Sequence, residues 1–149
     1  MGAKQLFIGI EGVSMRTSVA VLAEADGTIL SAARIPDPIT LHTTPRDLLR
    51  ARLNQLLNKV LQNAGHSLRD LKDCTVCIGM SGVTFTHDRE VVLPNLFRQF
   101  KLQATLICTG DAEIAFASHT RQSHGSAIIC MAAIHRGIAS LNFIFRSAS

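Results

Sequence analysis

The chain has 149 residues, 47% apolar and 17% charged, a balance that builds one domain with a real core and excludes a disordered chain. Its net charge of +4 is scattered among acids without stacking aromatics, which argues against a nucleic-acid partner. No apolar run reaches the length of a membrane span. The opening MGAKQLFIGI lacks the pattern of a secretory leader, and its sixth residue lacks a myristoylation hydroxyl, so the expected location is cytoplasmic, away from membranes.

Three strand-like runs come first, at about residues 5–10, 17–23 and 28–34. Asp26-Gly27 between the last two is a strong hairpin signal. A loop, PDPITLHTTP, leads into the clearest helix. There Thr44 is the expected N-cap, Pro45 the first helical residue and Asp47 the partner in an approximate capping box. Leu48, Leu49, Leu53, Leu56, Leu57, Val60, Leu61 and Ala64 recur at helical spacing, and Gly65 is the expected C-terminal cap.

CTVCIGM reads as a buried strand ending in the turn SGV. A shorter helix is expected over about residues 89–100, with Pro94 in its first turn or kinking it. ATLIC is another strand, and it runs into TGDAEIAFASH, where Thr109 or Asp111 can cap a third helix. Strand-like AIICMAAI and IASLNFIF follow. The order β-β-β-α-β-α-β-α predicts an α/β domain with a mixed sheet over residues 1–122, and residues 123–149 read as the opening of a second unit. The apolar strands of that tail would leave edges able to pair two copies, so a homodimer is one expected assembly.

The four cysteines, Cys74, Cys77, Cys108 and Cys130, read as reduced, buried small hydrophobes. Cys74 and Cys77 have redox spacing, but residues three apart on a strand face opposite ways.

Ligands of an open α/β sheet collect at the C-terminal ends of its strands. Glu11, the turn Ser81-Gly82-Val83 and Asp111 all fall there. A carboxylate beside backbone N–H groups can hold a hydrated magnesium ion and, through it, a phosphate. A second carboxylate can take a proton from a hydroxyl nucleophile. On spacing alone, Glu11 as a turn acid and Asp111 as a helix cap remain the simpler alternatives.

Four segments in order, FIGIEGVSMRTSVAVLAEADGTIL, CIGMSGV, TGDAEIAFA and GSAIIC, resemble the N-acetylglucosamine kinase and BadF/BadG/BcrA-type ATPase family of the actin-like ATPase superfamily. The resemblance implies a ribonuclease-H-like lobe, ATP and magnesium as cofactors, and an amino sugar as substrate. It makes Asp111 the catalytic base and Glu11 the residue beside the metal. Glu11, Gly12, Ser14, Arg16 and Thr17 fall on the phosphate-binding turn, and Thr40, His42, Ser81 and Gly82 on the sugar-contacting side.

The chain departs from that family in four places. Val13, Ser14 and Met15 replace Gly-Gly-Thr in the first phosphate turn, adding bulk and removing a hydroxyl. AAIH, at residues 132–135, stands where the second phosphate turn is expected. The sugar loop has no Asn, and the sequence stops where the family's second lobe begins. The resemblance therefore implies an N-terminal kinase lobe impaired when it stands alone. The alternatives are a non-catalytic binding or dimerisation domain and a ribonuclease-H-like nuclease. The nuclease would need an acid on the fourth strand, and CTVCIGM has none. The family's iron–sulfur activators need exposed cysteines, which Cys74 and Cys77 do not provide.

Overall fold

In the computed structural model, residues 5–12, 17–71 and 74–110 are described. Five strands form one mixed sheet: β1 (Leu6–Gly12), β2 (Ser18–Glu24), β3 (Ile29–Ile35), β4 (Thr75–Met80) and β5 (Thr105–Gly110), in spatial order β3-β2-β1-β4-β5. β1, β2 and β3 form an antiparallel meander, while β4 runs parallel to β1 and β5 parallel to β4. Both parallel strands therefore end on the same side of the sheet as β1. This is the mixed sheet predicted above; the third helix expected from the sequence falls outside the described residues.

Alternation sets the two faces. Ile8 and Ile10 of β1 sit in register with Leu22 and Ala20 of β2 and with Val76 and Ile78 of β4, and all six are buried. They pack beneath α1 (Arg46–Asn63), which contributes Leu49, Leu53, Leu56, Leu57, Val60 and Leu61, each fully buried. At about 1.5–3 kcal/mol for each large aliphatic side chain taken out of water, this seam dominates the core. Leu48 departs from the expected face and stays 43% exposed.

The helix also begins differently from the sequence expectation. Its N-cap is Pro45, with no side-chain cap bond, because the Thr44 hydroxyl is engaged within the preceding loop. Its end is as expected: the His66 N–H donates to the Leu61 carbonyl at 2.9 Å and the Gly65 N–H to that of Gln62 at 3.0 Å, the paired bonds of a Schellman motif. Side chains of α1 also reach the edge strand β3. Lys59 Nζ donates to the Arg34 carbonyl at 2.8 Å and Asn63 Nδ2 to that of Ala32 at 3.0 Å, occupying oxygens that another strand would otherwise use.

The second helical segment starts earlier than the sequence suggests. A π turn, Asp88–Val92, leads into α2 (Leu93–Phe97) and a closing 3-10 turn, Arg98–Phe100. Pro94 sits near the start of α2. The wider turn before it relieves the clash that its ring makes in a regular helix.

Cys74 is buried and Cys77 half-buried, both as free thiols, and burial pushes the Cys77 thiol up to about 11. Such a thiol stays protonated at neutral pH and behaves as packing. Cys130 lies outside the described residues. Among the described residues, no helix is long and apolar enough to cross a membrane.

If the α1 seam dominates stability, Leu53→Ala will lower the unfolding free energy by about 2–5 kcal/mol. Leu48→Ala will change it by no more than about 0.5 kcal/mol. Urea denaturation of both variants measures the contrast.

Candidate functional site

The C-terminal edge of the parallel strands is built around one residue, Ser81. The Ser81 N–H donates to the Gly12 carbonyl at 2.9 Å, and the Ser81 carbonyl accepts the Leu41 N–H at 3.0 Å. Thr40 and Ser81 form an isolated parallel bridge. The loop at residues 36–45 is thus tied to the end of β4 through a single bridge.

The same loop is fastened at two other points and braced once within itself. Ser18, fully buried, donates its hydroxyl to the Asp37 carbonyl at 3.0 Å. Arg52 of α1 donates to the Pro38 carbonyl at 2.7 Å and pairs with Asp37 at 3.6 Å. Thr40 turns its hydroxyl inward, onto Thr43 and, at 2.9 Å, onto Thr44.

Gly12 explains why the loop can lie so close. A Cβ built there would sit well inside van der Waals contact of the Ile39 carbonyl oxygen and 3.2 Å from the Ile39 Cβ. The glycine is required by this approach whether or not a phosphate binds. Gly82, at φ +90°, turns the chain away from β4 in a conformation that favours glycine, with the His42 ring alongside.

His42 reaches solvent from this loop, 54% exposed, and its Nε2 lies 3.5 Å from Oδ2 of Asp88. That Asp88 oxygen also accepts the Thr84 and Phe85 N–H groups at 3.3 and 3.2 Å. Burial pushes the Asp88 carboxyl up, but the Phe85 and Thr84 N–H groups and His42 outweigh it and hold it below the usual carboxylate value. Phe85 itself is 69% exposed. Ser81 is half-buried, and no described residue is bonded to its hydroxyl.

The structure therefore gathers Gly12, Thr40, His42, Ser81 and Gly82 at one edge. Thr17 lies beside them, half-buried at the entry to β2. Glu11 is separate: in register with Val19 and Gly79, it faces the side of the sheet opposite to α1 and is 6% exposed. Ser14, Arg16 and Asp111 lie outside the described residues. Among the described residues, no three His, Cys, Asp or Glu side chains form a cluster able to hold a metal ion. A magnesium ion at Glu11 would complete its shell with water, phosphate oxygens or groups beyond these residues.

Sequence reading missed Asp88. The signal was present in TFTHD, an acid three residues after the point where the chain enters its helix.

No protein-family model and no curated protein matches the sequence. Solved structures do resemble the fold. A protein from Chromobacterium violaceum assigned as an N-acetylglucosamine kinase is 22% identical with a TM-score of 0.56, over 77% of this chain and 38% of its own. A ROK family glucokinase from Streptomyces griseus, solved with glucose and AMPPNP, is 19% identical with a TM-score of 0.56, over 81% and 38%. A ROK hexokinase from Thermus thermophilus is 13% identical with a TM-score of 0.52, over 81% and 39%. The described residues share the α/β fold, built on a five-strand mixed sheet, of these three proteins. The chain spans less than two-fifths of the length of each of these three proteins.

Two outcomes follow from the geometry. Gly12→Ala will destabilise the chain by about 1–3 kcal/mol through overpacking, read by urea denaturation. The second concerns acid. Because the Asp88 carboxyl is held down in the folded state, it contributes stability above the ordinary carboxylate value, and loses it as pH falls through the lower folded value. Asp88→Asn will therefore flatten the acid limb of the stability–pH curve. It will leave the part due to Asp70, which Ser67 holds down in the same way.

Proposed function

We propose that this chain is the N-terminal, sugar-binding lobe of an amino-sugar kinase whose phosphate-binding turn is impaired. The observation that carries the reading is the polar rim of His42, Ser81 and Gly82, fixed at the C-terminal ends of β1 and β4 by bonds through Ser81. The likeness in fold to sugar kinases, one solved with glucose, supports a sugar as the ligand class.

In this reading His42 and the Ser81 hydroxyl meet sugar hydroxyls, while Thr40, its own hydroxyl turned inward, holds the loop in shape. Gly82 keeps the turn beside His42 narrow enough for a ring to approach. Asp111 takes the proton of the reacting hydroxyl, as the base of the resemblance described above. Glu11 offers a hard oxygen donor suited to a largely hydrated magnesium ion, the ion that would neutralise phosphate charge when bound. Gly12, Ser14, Arg16 and Thr17 outline the phosphate turn. ATP fits this turn poorly. Val13 resists the backbone conformation that brings N–H groups onto phosphate oxygens, and Met15 supplies no hydroxyl.

Titration calorimetry separates the two halves of the proposal. N-acetylglucosamine will bind with a Kd of roughly 0.1–1 mM, and His42→Ala will weaken it by about tenfold, the net worth of one good hydrogen bond. Mg-ATP will show no micromolar binding, and the double change Val13→Gly, Met15→Thr will strengthen it. Micromolar Mg-ATP binding by the unaltered chain, without a response to sugar, would overturn the reading.

A further inference from the structure

Asp88 does more at this edge than start a helix. A carboxylate at that place can satisfy the Thr84 and Phe85 N–H groups, and an uncharged oxygen acceptor would serve them as well. A buried charge is costly unless a charged or strongly polar partner meets it. The partner here is His42, on a loop remote in sequence, against a carboxylate only 5% exposed.

The asymmetry of the pair is informative. One ring nitrogen, Nε2, faces the carboxylate, and no described residue is bonded to the other. An imidazole that donates through Nε2 to a carboxylate carries its bare, accepting nitrogen at Nδ1. A buried carboxylate behind a solvent-facing imidazole sets both the tautomer and the direction of the ring.

We propose that Asp88 is a positioning residue for ligand binding. It holds His42 as the Nε2–H tautomer, so that Nδ1 is presented at the rim as a hydrogen-bond acceptor for a hydroxyl or amide N–H of a neutral polyhydroxylated ligand. This rests on the sugar-site reading above and deepens it: the His42–Asp88 pair does the work for which the resemblance leads one to expect an Asn. The separation of 3.5 Å is long for a strong bond, as such pairs often are before a ligand closes them.

The proposal is tested in two ways that do not depend on each other. Long-range proton–nitrogen NMR of the ligand-free chain, with the His42 signal assigned through His42→Gln, reads the tautomer of the neutral ring. The unaltered chain will show the single Nε2–H form, and Asp88→Asn, which keeps an oxygen for the two backbone N–H groups, will show a mixture. A mixture already present in the unaltered chain, or one unchanged by the substitution, overturns the proposal even if the variant folds poorly.

The second test is a double-mutant cycle on N-acetylglucosamine affinity. Asp88→Asn will weaken binding by about tenfold, a change equivalent to one hydrogen bond, and will add almost nothing once His42 is Gln. An equal loss in both backgrounds means that Asp88 acts on the fold alone, and overturns the proposal. If the unaltered chain binds no sugar, the site reading fails by itself, and the tautomer alone decides the role of Asp88.

Discussion

The backbone of Ser81 is the joint on which this edge of the molecule depends. Its N–H closes the end of β1 through Gly12, and its carbonyl takes the loop at Leu41. Those two bonds join the end of β1 to β4 and β4 to the buried residues 39–41, which sets the place of His42 beside them. Through these bonds the loop is tied to the sheet. The remaining fastenings, from Ser18, Arg52 and the three threonines, hold it flat against a strand end that only a glycine at residue 12 leaves open. Buried backbone groups must be paired, and here the pairing itself shapes the rim.

This rigidity separates the two chemistries that the sequence suggests. On the proposed reading the sugar side needs a few hydroxyl and imidazole groups in fixed directions, which the docked loop and the Gly82 turn would supply. The phosphate side needs backbone N–H groups close to phosphate oxygens. Gly12 belongs to the packing of the loop, and the next residues are Val13, Ser14 and Met15. Glu11 and Gly12 are neighbours in sequence, yet strand alternation sends one to each face of the sheet. An acid beside a glycine at a strand end is therefore two features with separate duties. The proposed reading, a sugar rim kept and a phosphate turn impaired, rests on those residues.

Much of this was legible in the sequence because it is written in side chains. The periodicity of α1 and the alternation in β1, β2 and β4 gave their places to within a residue or two, and Gly65 marked the helix end. Thr44 misled, since a good N-cap residue was drawn into a hydroxyl network with Thr40 instead of the helix end. Leu48 fell at helical spacing but outside the seam. The docking of residues 36–45 could not be read, because backbone bonds through Ser81 and Leu41 leave no mark in residue type. Asp88 was readable and was passed over, since the helix was started three residues too late.

Hydrogen exchange at the Leu41 amide tests the docked loop most directly. If the Ser81 carbonyl holds that N–H as it holds the sheet edge together, Leu41 and Ser81 will be protected to about the level of the amides of β4, and will open with them. Exchange of Leu41 at the rate of an unstructured loop, while β1 and β4 remain protected, would mean that the rim is not built into the sheet. The account of the site would then be wrong at its base.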